Sequence, residues 1–203
     1  MFEDILSEEQ KQLLPFIESF KKEFYLVGGT SIALQIGHRE SIDFDLFKIS
    51  NISKVKITNR LNDFNLTYRL IYTDSESFHM VISGVKITFF QYPFKIKTNV
   101  AFQEIKMPDL LHLGAMKAYA LGRRAKWKDY VDLYFILKDY HTLEEINKKS
   151  QEIYKDLFSP KLFSQQLCFF SDIDYSEPVS YCIAPVPDEV VKSFLIELVT
   201  QKL

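Results

Sequence analysis

Leu13, Leu14, Ile17 and Phe20 recur at helical spacing, so Asp4 to Phe24 reads as an amphipathic helix whose first turn, at Ser7, Glu8 and Glu9, is acidic. Tyr25-Leu26-Val27 is a short apolar run that ends in Gly28-Gly29. A compact helix then opens at Thr30 and is stopped after Ile36 by Gly37. Ser41 to Phe47 alternates polar and apolar residues with period two, the pattern of a half-buried strand. A helix over about Ser53 to Phe64 follows. Leu66–Tyr72, Phe78–Ser83 and Val85–Gln91 then read as strands, with Ser83-Gly84 as a hairpin turn. Val100–Ile105 adds one more strand. Beyond Pro108 the pattern is helical over Asp109–Leu121, Lys126–Lys138 and Leu143–Phe158, with a break at Pro160. An irregular piece from Asp172 to Pro187 precedes a last helix near Asp188–Leu203. The chain is therefore α+β, with a mixed part over residues 1–106 and a helical part over residues 107–203.

Composition narrows the class. With 203 residues, 47% hydrophobic, there is ample chain for a buried core, and 15% aromatics suit a packed interior. The net charge of −2, from 25 basic and 27 acidic residues, indicates neither disorder nor a globally basic coat for nucleic acid. No apolar run reaches the ~18 residues of a membrane span, and Met1–Gln10 is too polar and acidic for a signal peptide. Cys168 and Cys182 are too few for a disulfide scaffold. The expectation is a cytoplasmic protein with no membrane association.

The chemistry concentrates between residues 26 and 46. Leu26-Val27-Gly28-Gly29 is separated by 13 residues from Asp43-Phe44-Asp45-Leu46. On a strand, Asp43 and Asp45 point to one face, and adjacent like charges are unfavourable unless a cation sits between them. Oxygen ligands alone select Mg²⁺, with Mn²⁺ as the other candidate. The glycines permit close backbone approach, and the helix from Thr30 aims free N–H groups at an anion, which brings Gly28, Gly29, Thr30 and Ser31 forward as nucleotide-binding residues. An anion site beside a cation site describes a nucleoside triphosphate. Taken alone, a Gly-Gly before a helix is more often plain turn chemistry, and an Asp-x-Asp on a strand is often a solvated face.

Together, on a strand–Gly-Gly–helix–strand frame, these residues resemble the signature of the polymerase-β-like nucleotidyltransferase superfamily. More closely, Val27 to Ser31, Gly37 to Phe47, Leu113 to Ala118, Arg123, and Lys126 to Tyr134 resemble the nucleotidyl transferase AbiEii toxin family. That resemblance spans about residues 20 to 140. It implies a mixed sheet flanked by helices, followed by a helical region that completes the cleft. It also implies transfer of a nucleotide from an NTP to RNA, with tRNA ends as acceptor, by the toxin of a toxin–antitoxin or phage-defence pair that has a cognate antitoxin protein.

Lys117 falls amid Leu110, Leu113, Gly114 and Leu121 on a helical wheel. A lysine in an apolar stripe reaches a phosphate, snorkels to solvent, or pairs with an acid. The family, which has a lysine here, implies the first. Asp129 and Asp132 share a face of the next helix. They either lock two helices by pairing with Lys117 or Arg123, or supply a base or metal ligand. The resemblance implies a functional Asp129, whereas Asp132 reads as structural. Lys117, Arg123, Arg124, Lys126 and Lys128 form a run without an acid between Leu110 and Lys128, suited to triphosphate, RNA backbone or solvent. Arg39 reads equally as a phosphate ligand or a surface residue. His38, His79, His112 and His141 show no metal-ligand spacing.

One departure stands out. Many members of the superfamily carry a third carboxylate on a later strand, but Val85 to Phe90 contains no acid, and Thr88 is the candidate for the vacant position. Two outcomes follow: an enzyme in which Asp129 or another acid substitutes, or a binding protein that has lost transfer chemistry. A separate reading keeps the enzyme and changes the acceptor to a small molecule or a protein hydroxyl. Residues 141–203 carry no motif.

Overall fold

The first helix is shorter than its periodicity suggests because Ser7 caps it. In the computed structural model, which describes residues 1–201, the Ser7 hydroxyl accepts the Gln10 amide and the Gln10 side chain accepts the Ser7 amide. Helix α1 therefore runs Glu8–Glu18, and a separate 3₁₀ turn occupies Glu3–Ile5. Strand β1 (Tyr25–Val27) leads directly into α2 (Gly28–Ile36), which starts two residues before Thr30 and ends on Gly37 in the left-handed conformation, φ 67°. Strand β2 is Phe44–Lys48, α3 is Lys54–Asp63 with Ser53 as its cap, and β3 to β5 are Arg69–Thr73, Ser77–Ile82 and Val85–Gln91.

These strands form one mixed sheet in the order β1-β2-β5-β4-β3, in which only β2 and β5 are parallel. Ser83 and Gly84 both have positive φ, 49° and 83°, so the β4–β5 hairpin turns in two residues and sets Ile82 opposite Val85. One face of the sheet (Leu26, Phe44, Leu46, Phe78, Met80, Ile87, Phe89) joins a core with Leu13, Phe16, Ile17 and Phe20. The aromatic richness is used here: Phe20 and Phe24 meet the Phe89 ring edge-on at 4.8 and 5.2 Å between centroids. The segment expected as one strand at Val100–Ile105 is a hairpin, β6 (Val100–Phe102) with β7 (Ile105–Met107), because Gln103 takes a positive φ and reverses the chain.

The chain divides into two compact units, Met1–Asp109 and Leu110–Leu203. The second contains α4 (Leu110–Leu121), α5 (Trp127–Asp139), α6 (Leu143–Tyr154), α7 (Pro160–Leu167) and α8 (Asp188–Thr200). The end expected for the last helix, at Leu203, lies outside the described residues. Pro160 starts a helix instead of marking only a break: Ser159 caps α7 and proline occupies its first position, where no N–H is needed. Helix α6 stops at Tyr154 because Lys155 has φ 50°. Gly114 lets α4 approach α6, since a Cβ there would lie 2.5 Å from Ile146 Cδ1. None of the described helices is long and apolar enough to cross a membrane.

Candidate active site

Two glycines bring the start of α2 against β2, which begins at Phe44, later than the alternation from Ser41 suggests, so that it carries Asp45 while Asp43 directly precedes it. Gly28 has a left-handed backbone, φ 73°, and a Cβ on it would overlap Asp45 Oδ2. A Cβ on Gly29 would lie 2.5 Å from Arg39 Nη2 and 2.9 Å from Ser41 Oγ. The Asp45 carboxylate is thus held at the first turn of α2, where backbone N–H groups lack intrahelical partners. Gly28→Ala combines overlap with a strained φ and should cost about 2–3 kcal/mol. Gly84→Ala, also at positive φ but with open space around the added carbon, should cost only about 1 kcal/mol. Urea midpoints of the two variants check the difference.

The segment before Asp43 is fixed from two helices. The Thr30 hydroxyl donates to the Asp43 carbonyl and lies 2.9 Å from Ser41 Oγ. Gln10 of α1, fully buried, donates its side-chain amide to the Ser41 carbonyl at 2.8 Å. Thr30 is turned inward at 1% exposure, and Ser31 is buried with no hydrogen-bond partner on its Oγ. Arg39 is not a surface residue: it is 2% exposed, lies over Gly29 and donates Nη1–H to the Glu40 carbonyl at 2.8 Å. Its aliphatic stem and guanidinium fill space that only a glycine at position 29 leaves open.

Asp43 and Asp45 are both half-buried. In register, Asp45 stands between Val27 on β1 and Thr88 on β5, and Thr88 faces His79 on β4. Thr88, the candidate for the vacant acidic position, therefore lies directly beside Asp45. Among the described residues no group of three or more His, Cys, Asp or Glu is arranged to hold a metal ion. Two carboxylates two residues apart, one on β2 pinned against Gly28 and one just before the strand, nevertheless fit a hard divalent cation that takes its other ligands from phosphate and water.

In the helical unit, Lys117 of α4 is 7% exposed and pairs with two acids of α5, Asp129 at 2.5 Å and Asp132 at 2.8 Å. Asp129 and Asp132 are 2% and 0% exposed. Arg124 Nε lies 3.3 Å from Asp129. The pairing of Lys117 with both acids is the helix-locking arrangement. Arg123 lies over the Tyr119 ring, 3.6 Å from its centroid, and donates to the Tyr119 carbonyl. Lys126 and Lys128 both pair with Glu177, a residue far along the chain. The basic run is thus largely matched by carboxylates once folded, and the sequence, in which these acids lie outside the run, hides this.

Sequence reading named Gly28, Gly29, Thr30, Ser31, Arg39, Asp43 and Asp45, and the first unit gathers all seven around one turn. Lys117, Arg123 and Asp129 lie in the second unit. Gln10 and Ser41, which hold the aspartate segment, carry no local signal. They emerge only from contacts across the fold.

A strand–Gly-Gly–helix–Asp-x-Asp arrangement on a mixed sheet defines the polymerase-β-like nucleotidyltransferase class. The comparisons agree. The chain has a TM-score of 0.64 against JHP933 from Helicobacter pylori, at 16% identity over 96% of this chain and 90% of that one. Against MenT4, a nucleotidyltransferase toxin from Mycobacterium tuberculosis H37Rv, the TM-score is 0.59 at 11% identity, covering 96% and 85%. An uncharacterized protein of Aquifex aeolicus (strain VF5), aq_aa25, is 28% identical over 198 residues, 93% of this chain and 94% of its own length. By sequence, residues 16–73 match the family described as nucleotidyl transferase AbiEii toxin, Type IV TA system. The chain thus has the fold of these nucleotidyltransferases, and the resemblance to AbiEii toxins read from its motifs is borne out over residues 16–73.

Proposed function

We propose that this protein moves a nucleoside monophosphate from an NTP onto an RNA acceptor of the tRNA kind, as the toxin of a toxin–antitoxin or phage-defence pair. The placement of the Asp45 carboxylate at the first turn of α2 carries this reading, since it sets an anion-binding helix end beside a cation-binding carboxylate. The amides at Gly28 and Gly29 cradle the triphosphate, with Thr30 and Ser31 in the same turn and Arg39 behind it. Asp43 and Asp45 hold a divalent cation, Mg²⁺ or Mn²⁺, which when bound neutralises charge on the phosphates. Lys117 and Arg123 of the helical unit are the cations that the family resemblance assigns to phosphate, and Asp129 holds Lys117. The family's system implies an antitoxin partner, and the cytoplasm is the compartment in which NTP and RNA meet.

Two observations favour rival readings. Thr88 stands beside Asp45 where the superfamily often has a third acid, which suits a protein that binds nucleotide without transferring it. The carboxylates that pair with the basic run weaken the argument for RNA, which suits a small-molecule or protein acceptor.

Purified protein would be incubated with Mg²⁺ or Mn²⁺ and each α-labelled NTP, in the presence of total tRNA, protein, or an aminoglycoside. An Asp43→Ala/Asp45→Ala variant serves as control. Label in tRNA that requires both aspartates is the expected result. Label in protein or drug would replace the RNA acceptor, and nucleotide binding without pyrophosphate release would replace the enzyme.

A further inference from the structure

The row of residues that holds Asp45 continues across the sheet to a histidine. Asp45 of β2 faces Thr88 of β5, Thr88 faces His79 of β4, and His79 faces Tyr72 of β3, so all four side chains share one side of the sheet. The opposite side is the hydrophobic core. Thr88 is buried, and its Oγ1 lies 3.2 Å from His79 Nδ1. The Tyr72 ring packs on the imidazole at 5.8 Å between centroids. His79 is half-buried, two strands and about 10 Å of sheet from Asp45. Apart from the aspartates, β2, β4 and β5 turn Phe47, Ser77, Val81, Lys86 and Phe90 to this side, and none of them takes up a proton near neutral pH.

We propose that His79 is the general base of the reaction, with Thr88 as the residue that positions its ring. The inference rests on the nucleotidyl-transfer reading. When Nδ1–H donates to Thr88 Oγ1, the lone pair of Nε2 is left for the acceptor hydroxyl. Nε2 takes the hydroxyl proton as the oxygen attacks the α-phosphorus. The bond from that phosphorus to the α,β-bridging oxygen breaks, pyrophosphate departs with the electron pair, and the imidazolium returns its proton to solvent. Asp129, the acid considered for this role, is instead occupied by Lys117 and Arg124.

The electrostatic setting suits a base. Burial and the Lys86 ammonium on the adjacent strand lower the His79 pKa, while Asp45 and Asp74 pull it up, and the net direction is downward. Asp74 stays ionised throughout: the Ser77 hydroxyl, the Glu76 amide and the Tyr72 hydroxyl hold it at about 2. His79 is therefore neutral, and able to accept a proton, through the neutral range.

The test compares wild type, His79→Gln, His79→Ala and Thr88→Val in the full chain. It reads pyrophosphate release with saturating NTP and total tRNA from pH 5 to 8, with thermal melts and NTP affinity as folding checks. Wild-type kcat should fall as pH drops through the His79 pKa, below ~6.5. His79→Gln should lose 10²–10⁴-fold in kcat at little change in KM for NTP, and should lose the acidic limb. Added imidazole should raise the His79→Ala rate at least roughly tenfold, and Thr88→Val should shift the limb while keeping part of the rate. Wild-type kcat in His79→Gln overturns the inference alone. So does a loss of rate that leaves the acidic limb in place and is not rescued by imidazole, because that marks a structural histidine. A wild type that releases no pyrophosphate with RNA, protein or small-molecule acceptors overturns nucleotidyl transfer itself, and the base with it.

Discussion

Asp45→Asn should reduce nucleotidyl transfer by roughly 10²–10³-fold while leaving the fold as stable as before, or slightly more so. The substitution keeps the shape of a side chain packed against Gly28, so α2 and β2 have no reason to move apart. What it removes is charge. An amide is a weak ligand for a hard divalent cation, and a single remaining carboxylate at Asp43 leaves the triphosphate poorly neutralised. In the absence of metal, losing one of two neighbouring carboxylates relieves repulsion, so the melting temperature of the metal-free variant should hold or rise. Pyrophosphate release and a thermal scan on the same preparation read both arms. A variant with wild-type rate would remove Asp45 from the metal site, and one that melts well below wild type would make it a structural residue.

Lys117→Met should have the largest effect on stability, about 3–5 kcal/mol. The two acids it pairs with are almost inaccessible, and removal of the ammonium takes away the cation that both buried carboxylates share. Burying charge without a partner is far costlier than never placing it there. Replacing the whole cluster, Lys117→Met with Asp129→Leu and Asp132→Leu, should therefore recover at least half of the loss in a urea titration. If the single variant unfolds near the wild-type midpoint, the ion cluster is not what joins α4 to α5. If Lys117 also serves phosphate, the triple variant will fold and still fail to transfer nucleotide.

Much of the first unit is legible from local rules. Gly37 ends α2, Ser53 caps α3, and the alternation around Asp43 and Asp45 marks a strand, because each of these depends on neighbours within four residues. The His79–Thr88 pair was also within reach, since a two-residue turn at Ser83-Gly84 fixes which residues of β4 and β5 face each other. A histidine without ligand spacing nevertheless carries no signal until its cross-strand neighbour is known. The extra hairpin after Val100 and the helix after Pro160 were missed for a simpler reason: three-residue strands and an eight-residue helix are too short for periodicity to reveal.

By itself the sequence determined the chemistry on offer: a glycine pair before a helix, two aspartates two residues apart, an acid-free later strand, and the family to which residues 16–73 are similar. Tertiary structure decided how that chemistry is disposed. It buried Arg39 against Gly29, tied Asp43 down through Thr30, and matched the basic run with Glu177, Asp129 and Asp132. Charge balance and burial depend on which distant segments meet. A sequence window records the ammonium groups of such a run, but only the folded chain brings their carboxylates within ion-pairing distance.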